Sequence, residues 1–323
     1  MILLTGATGF VGNAVLKQLM QQPDVAIRTY GRRAPDGVNA ARVVDAAPQV
    51  VRHVTGEIRA AADYASALIG VDVIIHCAAQ AHINKNTTDR QAEFNYVNCD
   101  GSLKLARQAS DAGVKRFVFI SSIGVNGGYN QQGPFKYDDV AAPWDEYTQS
   151  KYAAELGLRQ LAKETGLEVV IIRPPLVYGA NAPGNFGKLT YAVRHGRWLP
   201  LGAIHNQRSF VALDNLVDLI ITCVTHPHAT NQTFLVSDDQ DISTTQLLEM
   251  MSRAAGKSPR LLPMPMSWLR LAGKLTGKQV VIERLCGNLQ VDISHTKATL
   301  CWQPPISVEE GIKRCFIEDK EGC

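Results

Sequence analysis

The chain has 323 residues, of which 46% are hydrophobic and 20% are charged. This apolar content is enough to bury a core and excludes a disordered chain, and at roughly 150 residues per domain the length predicts about two domains. The 33 Lys and Arg residues nearly balance the 30 Asp and Glu residues. A formal charge of +3 therefore argues against nucleic acid as a partner.

The seven cysteines are odd in number, scattered, and never spaced as Cys-x-x-Cys. We therefore expect neither a disulfide framework nor a metal site. Residues 1–4 lead directly into a glycine-rich turn, which leaves no room for a cleavable leader, and no run reaches the roughly 18 apolar residues of a membrane span. A cytoplasmic protein without a transmembrane segment is expected.

Short apolar runs alternate with amphipathic stretches through the first 175 residues. The candidate strands are residues 2–4, 25–30, 71–76, 116–121 and 168–173. Val11, Val15, Leu16 and Leu19 follow helical spacing after the first strand. This alternation predicts an α/β fold with a Rossmann-type, doubly wound parallel sheet.

After Pro174 and Pro175 the pattern changes. Gly and Pro punctuate residues 179–202, a helical stretch covers 213–222, a strand covers 233–237, and the chain from 244 onward is mainly helical. We expect a dinucleotide-binding domain formed by residues 1–177 and 204–238. A smaller, partly helical substrate domain would be formed by residues 178–203 and 239–323.

Three glycines stand at a 3,3 spacing in residues 5–12, TGATGFVG. The turn follows the first strand and opens an amphipathic helix, where glycines allow a pyrophosphate to approach the helix N-terminus closely. An ordinary tight turn would show the same spacing, but this position favours a dinucleotide site. The residues expected to hold the cofactor here are Gly6, Thr8, Gly9, Phe10, Val11 and Gly12.

The second strand ends in residues 28–33, RTYGRR, without Asp or Glu. An acid at this place binds the ribose hydroxyls of NAD, whereas arginine binds the 2′-phosphate of NADP. Arg32 and Arg33 therefore favour NADP(H), with NAD(H) possible and a solvated loop as the alternative. Further candidates for cofactor contact are Glu57 and Ile58 at the adenine, and Ala78 and Ala79 beside a ribose.

Tyr147 and Lys151 lie four residues apart and so share one face of a helix. Ser121 and Ser122 end the strand predicted over 116–121, at the carboxyl edge where open α/β sheets bind ligands. A surface Tyr and Lys with a strand-capping serine would give the same spacing. Their combination with the glycine turn favours an active site.

Taken together, these motifs resemble the extended short-chain dehydrogenase/reductase family, within its nucleotide-sugar epimerases, dehydratases and reductases. The resemblance covers nearly the whole chain. In family order and spacing, the motifs are TGATGFVG at 5–12, HCAA at 76–79, the segment around Asn98, ISS at 120–122, Tyr147 with Lys151, RPPLVYG at 173–179 and RSF at 208–210.

The resemblance implies a role for each residue of the trio. Tyr147 would be the general acid/base, Ser122 would hydrogen-bond the reacting oxygen, and Lys151 would hold the nicotinamide ribose. A free tyrosine has a pKa of about 10, so we expect the Lys151 ammonium and the positive oxidised nicotinamide to lower the pKa of Tyr147. The resemblance also implies cofactor contacts from Asn98, Ser121, Tyr147, Lys151 and Pro174.

On the substrate side, Arg208 occupies the position of the family's diphosphate-binding arginine, and a bidentate, charge-assisted contact suits its guanidinium. Asn185 stands where relatives hydrogen-bond the same diphosphate, with a turn residue as the alternative. The resemblance implies a UDP-hexose or UDP-N-acetylhexosamine substrate. It also implies a homodimer.

Two reactions share this machinery. A 4-epimerase keeps its nicotinamide and returns hydride to the other face of C4, whereas a 4-ketoreductase consumes reduced cofactor and stops. The stretch 120–127, ISSIGVNG, resembles relatives of surface-polysaccharide sugar synthesis, where both activities occur. The missing acid after the second strand favours the ketoreductase, because a net reductant is more often NADPH.

Three other functions are less favoured. A dehydratase would carry an Asp-Glu pair after the strand-end serine or threonine, where this chain has Ser122 and Ile123. A non-catalytic NADP-sensing protein, the alternative from another class, would often lack Tyr147 or Lys151. A reductase of a non-nucleotide carbonyl is opposed by Arg208.

Residues 264–278 mix apolar side chains such as Trp268 and Leu271 with Arg270, Lys274 and Lys278. A basic amphipathic helix of this kind can lie on a membrane surface, so peripheral membrane contact is one hypothesis. The alternative is a lid helix whose apolar face covers the substrate domain.

Overall fold

The computed structural model describes residues 1–36, 42–44, 47–49, 51–81, 89–130, 132–277 and 279–317. In chain order the first half forms β1 (Ile2–Thr5), α1 (Phe10–Leu19), β2 (Ile27–Gly31), β3 (Arg42–Val44), β4 (Ala47–Gln49), β5 (Val51–Thr55), α2 (Ala65–Leu68), β6 (Val73–His76), α3 (Arg90–Phe94), a π-helical segment (Asn95–Gly101), α4 (Ser102–Asp111), β7 (Arg116–Ile120), a 3₁₀ turn (Ile123–Val125) and α5 (Glu146–Thr165). The second half forms β8 (Glu168–Arg173), β9 (Leu176–Tyr178), α6 (Gly184–Arg194), β10 (Phe210–Ala212), α7 (Leu213–Thr225), a 3₁₀ turn (Pro227–Ala229), β11 (Thr233–Leu235), α8 (Thr244–Ala254), α9 (Met266–Leu275), α10 (Gln279–Cys286), α11 (Ser294–Leu300) and α12 (Val308–Arg314).

A seven-stranded parallel sheet confirms the predicted doubly wound fold. Its order is β11-β8-β7-β6-β1-β2-β5, so the winding direction reverses between β1 and β6. Thr5 of β1 lies opposite Tyr30 of β2 and His76 of β6, which brings the carboxyl ends of these strands to one edge. The crevice outside such a switch point is where open α/β sheets bind ligands.

Hydrophobic side chains cover both faces of the sheet. Leu4 of β1 belongs to one buried cluster, together with Leu16 of α1 and Leu216 of α7. Leu3, the preceding residue, points to the opposite cluster with Leu105 of α4. Because both faces are buried, the central strands read as continuous apolar runs, which is why the sequence revealed them.

The edge strand β5 was absent from the candidate strands. Its middle residues Arg52 and His53 are polar, and Arg52 is exposed. Most of its side chains are exposed or only partly buried, so it lacks the continuous apolar run of the central strands and its sequence signal is weak. Its register is nevertheless regular, with Val54 opposite Tyr30.

A third hydrophobic cluster lies on the substrate side of the molecule. It joins residues between Tyr178 and Ala212 with residues between Ile242 and Cys315, and β9 and β10 form a separate parallel pair beside it. Residues from Leu289 to Trp302 pack instead into the first cluster. The division into two domains stays a prediction.

No helix within the described ranges is long and apolar enough to cross a membrane. The same residues contain no group of His, Cys, Asp and Glu side chains that could hold a metal ion.

Candidate functional site

The first βα turn presses the N-terminus of α1 against the edge of the sheet. Gly6 has a φ of +73°, and a Cβ there would lie 2.6 Å from the backbone nitrogen of Ala78. A Cβ at Gly12 would lie 2.2 Å from the Gly6 carbonyl oxygen. Both positions therefore require glycine, as the dinucleotide prediction expects.

The same turn leaves room for a negatively charged ligand. Thr8 and Gly9 are exposed, and within the described residues no side chain caps the helix at Gly9. The first N–H groups of α1 are thus left for a ligand, at the end of the helix where its dipole favours an anion. This arrangement fits the pyrophosphate of a dinucleotide.

The predicted adenine-side residues lie at neighbouring strand ends. The Gly56 amide donates to the Gly31 carbonyl over 3.0 Å, which joins the tips of β2 and β5. Arg32 and Arg33 are exposed directly beyond β2. Ile58 packs against the second cluster, while the exposed Glu57 pairs with Arg59 at 2.8 Å.

A neutral histidine fixes the strand ends behind the turn. The ring nitrogens of His76 each lie 2.9 Å from a hydroxyl oxygen, that of Thr5 or that of Ser102. Burial, with a smaller effect of Lys151, lowers the pKa of His76 to about 3. The Thr5 hydroxyl also accepts from the Ala78 amide over 3.3 Å, so the network positions the predicted segment at Ala78 and the exposed Ala79.

Asn98 joins the loop after β6 to α5. Its side-chain oxygen accepts from the Gln80 amide at 2.8 Å, and its nitrogen donates to the Gln80 carbonyl and the Ser150 hydroxyl, both at 3.0 Å. Both amide donors are therefore used within the chain. This is the geometry of a positioning residue, and direct contact of Asn98 with a cofactor stays a prediction.

Helix α5 begins at a capping box that sets the position of the predicted trio. The Asp145 carboxylate accepts from the Thr148 amide, and the Thr148 hydroxyl accepts from the Asp145 amide. This start places Tyr147 in the first turn and Lys151 one turn later. Sequence spacing anticipated this relation.

Lys151 is a buried cation, with only 1% of its surface exposed. Its ammonium donates to the Ile120 carbonyl over 2.8 Å and lies 4.4 Å from the centre of the Phe119 ring. That is the one hydrogen bond of its Nζ seen in the described part of the chain, so two N–H donors are left. Donors of this kind fit the hydroxyls of a ribose.

Burial shifts the pKa values of both Lys151 and Tyr147. Burial lowers the pKa of Lys151 to about 8. Burial, followed by the Asp145 carboxylate, raises the pKa of Tyr147 to about 12. In the chain without ligand, burial thus dominates the pKa of Tyr147. The expected lowering, by Lys151 together with an oxidised nicotinamide, stays a prediction.

A buried ion pair that sequence reasoning missed lies below Lys151. Glu155, with 0% of its side chain exposed, receives a two-pronged contact from Arg173, at 2.9 Å from Nε and 2.5 Å from Nη2. The Ser121 hydroxyl donates to the same carboxylate, and Arg173 also donates to Asn126 over 2.9 Å. The available signal was Glu155, four residues beyond Lys151 on the helix face that carries the trio. A cofactor contact of Ser121 stays a prediction.

One cavity of about 490 Å³ gathers predicted residues from five parts of the chain. The residues concerned are Ser122, Tyr147, Pro174, Asn185 and Arg208. The Ser122 hydroxyl accepts from the Gly124 amide over 3.1 Å, which orients it at the end of β7. The remaining wall is largely apolar and includes Leu176, Phe186, Leu247 and Leu289.

Arg208 and the start of α6 form the cationic end of this cavity. The Arg208 guanidinium donates to the Gly287 carbonyl over 3.0 Å, and burial lowers its pKa to about 10, so it is charged at neutral pH. Asn185 lies in the first turn of α6, whose N-cap residue, Pro183, has no side-chain donor or acceptor. The N-terminus of α6 and the Arg208 guanidinium both attract anions, so together they suit a diphosphate.

Comparison with known proteins agrees with this geometry. Residues 2–237 match the family described as the NAD dependent epimerase/dehydratase family. The chain is 46% identical over 319 residues to the UDP-glucose 4-epimerase of Vibrio cholerae, with 97% of this chain and 93% of that protein covered.

Solved structures show the same fold. The UDP-glucose 4-epimerase of Thermotoga maritima, solved with UDP-glucose, has a TM-score of 0.75 at 22% identity and covers 98% of this chain and 97% of its own. The UDP-glucuronic acid 4-epimerase of Bacillus cereus, in complex with NAD, has a TM-score of 0.76 at 18% identity with the same coverage.

Replacing Lys151 by Met is expected to remove function without loss of stability. Turnover should fall at least about 100-fold, in the range of a lost acid/base contribution. The melting temperature should stay the same or rise, because the buried ammonium has lost its water while Glu155 is paired with Arg173 instead. Lys163→Met, at an exposed site on the same helix, is the matched control. A melting temperature lowered by several degrees would make Lys151 a structural residue.

Proposed function

The chain belongs to the NAD dependent epimerase/dehydratase family, an enzyme family of extended short-chain dehydrogenases/reductases, and from this we propose that it is a UDP-hexose 4-epimerase. One observation carries the proposal. Tyr147 and Ser122 line the same cavity as Arg208 and the start of α6, so a reacting hydroxyl and a diphosphate can occupy a single site. The likeness to the Vibrio epimerase supports the reaction class.

The chain's residues fit a nicotinamide dinucleotide. The N-terminus of α1 would receive the pyrophosphate, and the two remaining donors of Lys151 would hold the nicotinamide ribose. Asn98 and His76 fix the backbone between these two places. A nicotinamide held there would supply reversible hydride transfer with C4 of the sugar.

The proton at the C4 oxygen is handled by the protein. Tyr147 takes this proton as C4 is oxidised and returns it when C4 is reduced, with Ser122 hydrogen-bonded to the same oxygen. The raised pKa of Tyr147 means that the free chain holds the phenol protonated. A nearby positive charge, added to that of Lys151, stabilises the phenolate and makes proton transfer possible.

The apolar part of the cavity wall supports epimerisation. Leu176, Leu247 and Leu289 offer a keto sugar no directional hydrogen bonds, while Arg208 lines the same cavity and can hold the diphosphate. A keto sugar gripped by its diphosphate can therefore turn over and present its other face.

The second candidate is a 4-ketoreductase that uses NADP(H). Its support is the tip of β2, where Arg32 and Arg33 are exposed and Glu57 is paired with Arg59. Residues 28–33, all within the described part of the chain, contain no Asp or Glu that could select the bare ribose hydroxyls. The same catalytic residues would serve this reaction, so the candidates differ only in cofactor use and product.

The first experiment compares substrates and a variant. Purified protein should interconvert UDP-glucose or UDP-N-acetylglucosamine with the 4-epimer, without net change in cofactor absorbance. Tyr147→Phe should reduce this turnover at least about 100-fold, because only the acid/base hydroxyl is lost. Cofactor affinity should stay within about twofold.

Tyr152→Phe, on the same helix, should match the parent. Stoichiometric oxidation of reduced cofactor by a UDP-4-keto-6-deoxy sugar, without epimerisation, would instead establish the ketoreductase. Tyr147→Phe turnover within tenfold of the parent would contradict both.

Arg208→Ala is expected to raise KM for the UDP-sugar and to weaken binding of UDP alone at least about tenfold, or about 1.4 kcal/mol. The reason is loss of the guanidinium contact with the diphosphate. Calorimetric titration of UDP and of cofactor measures both effects, and cofactor affinity should not change. Arg208→Lys keeps the charge but not the planar guanidinium, so its UDP affinity should lie between those of the parent and of Arg208→Ala.

Arg253→Ala, at an exposed arginine outside the cavity, is the matched control. Unchanged KM and unchanged UDP affinity in Arg208→Ala would show that the nucleotide is held elsewhere.

Cofactor preference separates the two candidates. If NADPH is the reductant, replacing Arg32 and Arg33 by Ala should weaken NADPH binding at least about tenfold, or about 1.4 kcal/mol. The affinity for NADH should change little. Fluorescence titration of both cofactors measures this, with Arg52→Ala on β5 as the control. Equal losses, or a parent that binds NADH more tightly, would reject the NADP(H) ketoreductase and leave the NAD-dependent epimerase.

A further inference from the structure

Helix α9 carries an apolar stripe on its outer side. Trp268, Leu271 and Leu275 are exposed to 68%, 57% and 78%, and Ala272 is exposed beside them. Their spacing of i, i+3, i+4 and i+7 places them in one row. Such a row is normally buried against a partner.

The inner side of α9 is already occupied. Leu269 is buried in the third hydrophobic cluster, and Gly273 is buried one turn later. None of the described residues that line the substrate cavity belongs to α9. The stripe therefore points away from the body of the protein, which disfavours the lid that the sequence also allowed.

Positive charge is concentrated on the same segment. Residues 250–282 contain six Lys and Arg and no Asp or Glu. The rest of the chain contains 27 Lys and Arg and 30 Asp and Glu, so it carries a net negative formal charge. Arg270 and Lys274 lie next to the apolar row on α9 and are exposed. The sixth cation, Lys278, lies outside the described residues.

Residues 198–202 and 260–262 pair as a short ribbon before α9, and this ribbon also combines exposed apolar side chains with an exposed cation. Leu262 donates its amide to the Leu199 carbonyl over 2.8 Å, and Leu262 and Trp198 are exposed to 44% and 61%. Arg260 also lies on this ribbon and is exposed. Exposed apolar side chains thus recur with exposed cations.

We propose that α9 docks on an anionic lipid bilayer surface. Its apolar row enters the boundary between headgroups and acyl chains, while Arg270 and Lys274 contact the anionic headgroups. A second copy of this chain fits less well. In a two-fold contact through α9 each helix would meet the same surface, and the cations would face cations.

The test uses the full chain and needs no sugar substrate, so its failure is separate from failure of the proposed function. Co-sedimentation is measured with vesicles of phosphatidylcholine alone or mixed with phosphatidylglycerol. The parent should bind the anionic vesicles, and more weakly at high salt. Leu271→Ser/Leu275→Ser and Arg270→Gln/Lys274→Gln should each bind at least tenfold more weakly.

Matched controls are Val140→Ser, at a side chain exposed to 92%, and Lys104→Gln, at an exposed site on α4. Both should bind as the parent does. A blue shift of tryptophan fluorescence on adding anionic vesicles, absent in Trp268→Phe, would place α9 in the bilayer. Melting temperatures and turnover of soluble UDP-sugar should be unchanged in both double variants.

Three results would overturn the proposal. The parent binding no vesicles, or binding them as well after the double substitutions, would exclude a membrane role of α9. A dimer in sedimentation velocity that the leucine variant abolishes, without vesicle binding, would assign the stripe to a second copy. A change in KM without vesicle binding would assign it to a lid.

Discussion

A buried ammonium is the constraint on which the rest of the site depends. Lys151 has lost almost all of its water, and the nearest compensations are a backbone carbonyl and the face of Phe119. The adjoining groups are compatible with this charge. His76 is held neutral between two hydroxyls, and the Glu155 carboxylate is paired with Arg173. The chain therefore maintains a cation that is only partly satisfied until a ligand arrives, a cost that folding alone does not explain.

The arrangement also explains why the acid/base depends on its ligands. Tyr147 and Lys151 share a helix face, yet burial raises the pKa of the phenol. In the proposed reaction, the positive charge of a bound cofactor would therefore favour the phenolate that accepts the proton at C4.

The cavity on the substrate side combines polar and apolar side chains. Tyr147, Ser122, Asn185 and Arg208 offer directional contacts, and much of the remaining wall is apolar. The outer surface differs from the cavity, because the cations of α9 lie beside an exposed apolar row and not in a pocket. The proposed diphosphate recognition and the proposed lipid recognition therefore use separate sets of basic residues.

The sequence by itself determined what local spacing encodes. The central strands, the glycine turn, and the shared helix face of Tyr147 and Lys151 follow from periodicity and from steric rules at single positions. Only the tertiary structure decided the edge strand β5, the Glu155–Arg173 pair and the commitment of Asn98 to Gln80 and Ser150. It also showed how burial raises the pKa of Tyr147 in the chain without ligand, and that the apolar row of α9 is exposed. Burial and desolvation arise from contacts between residues far apart in the chain, and no short-range pattern records them.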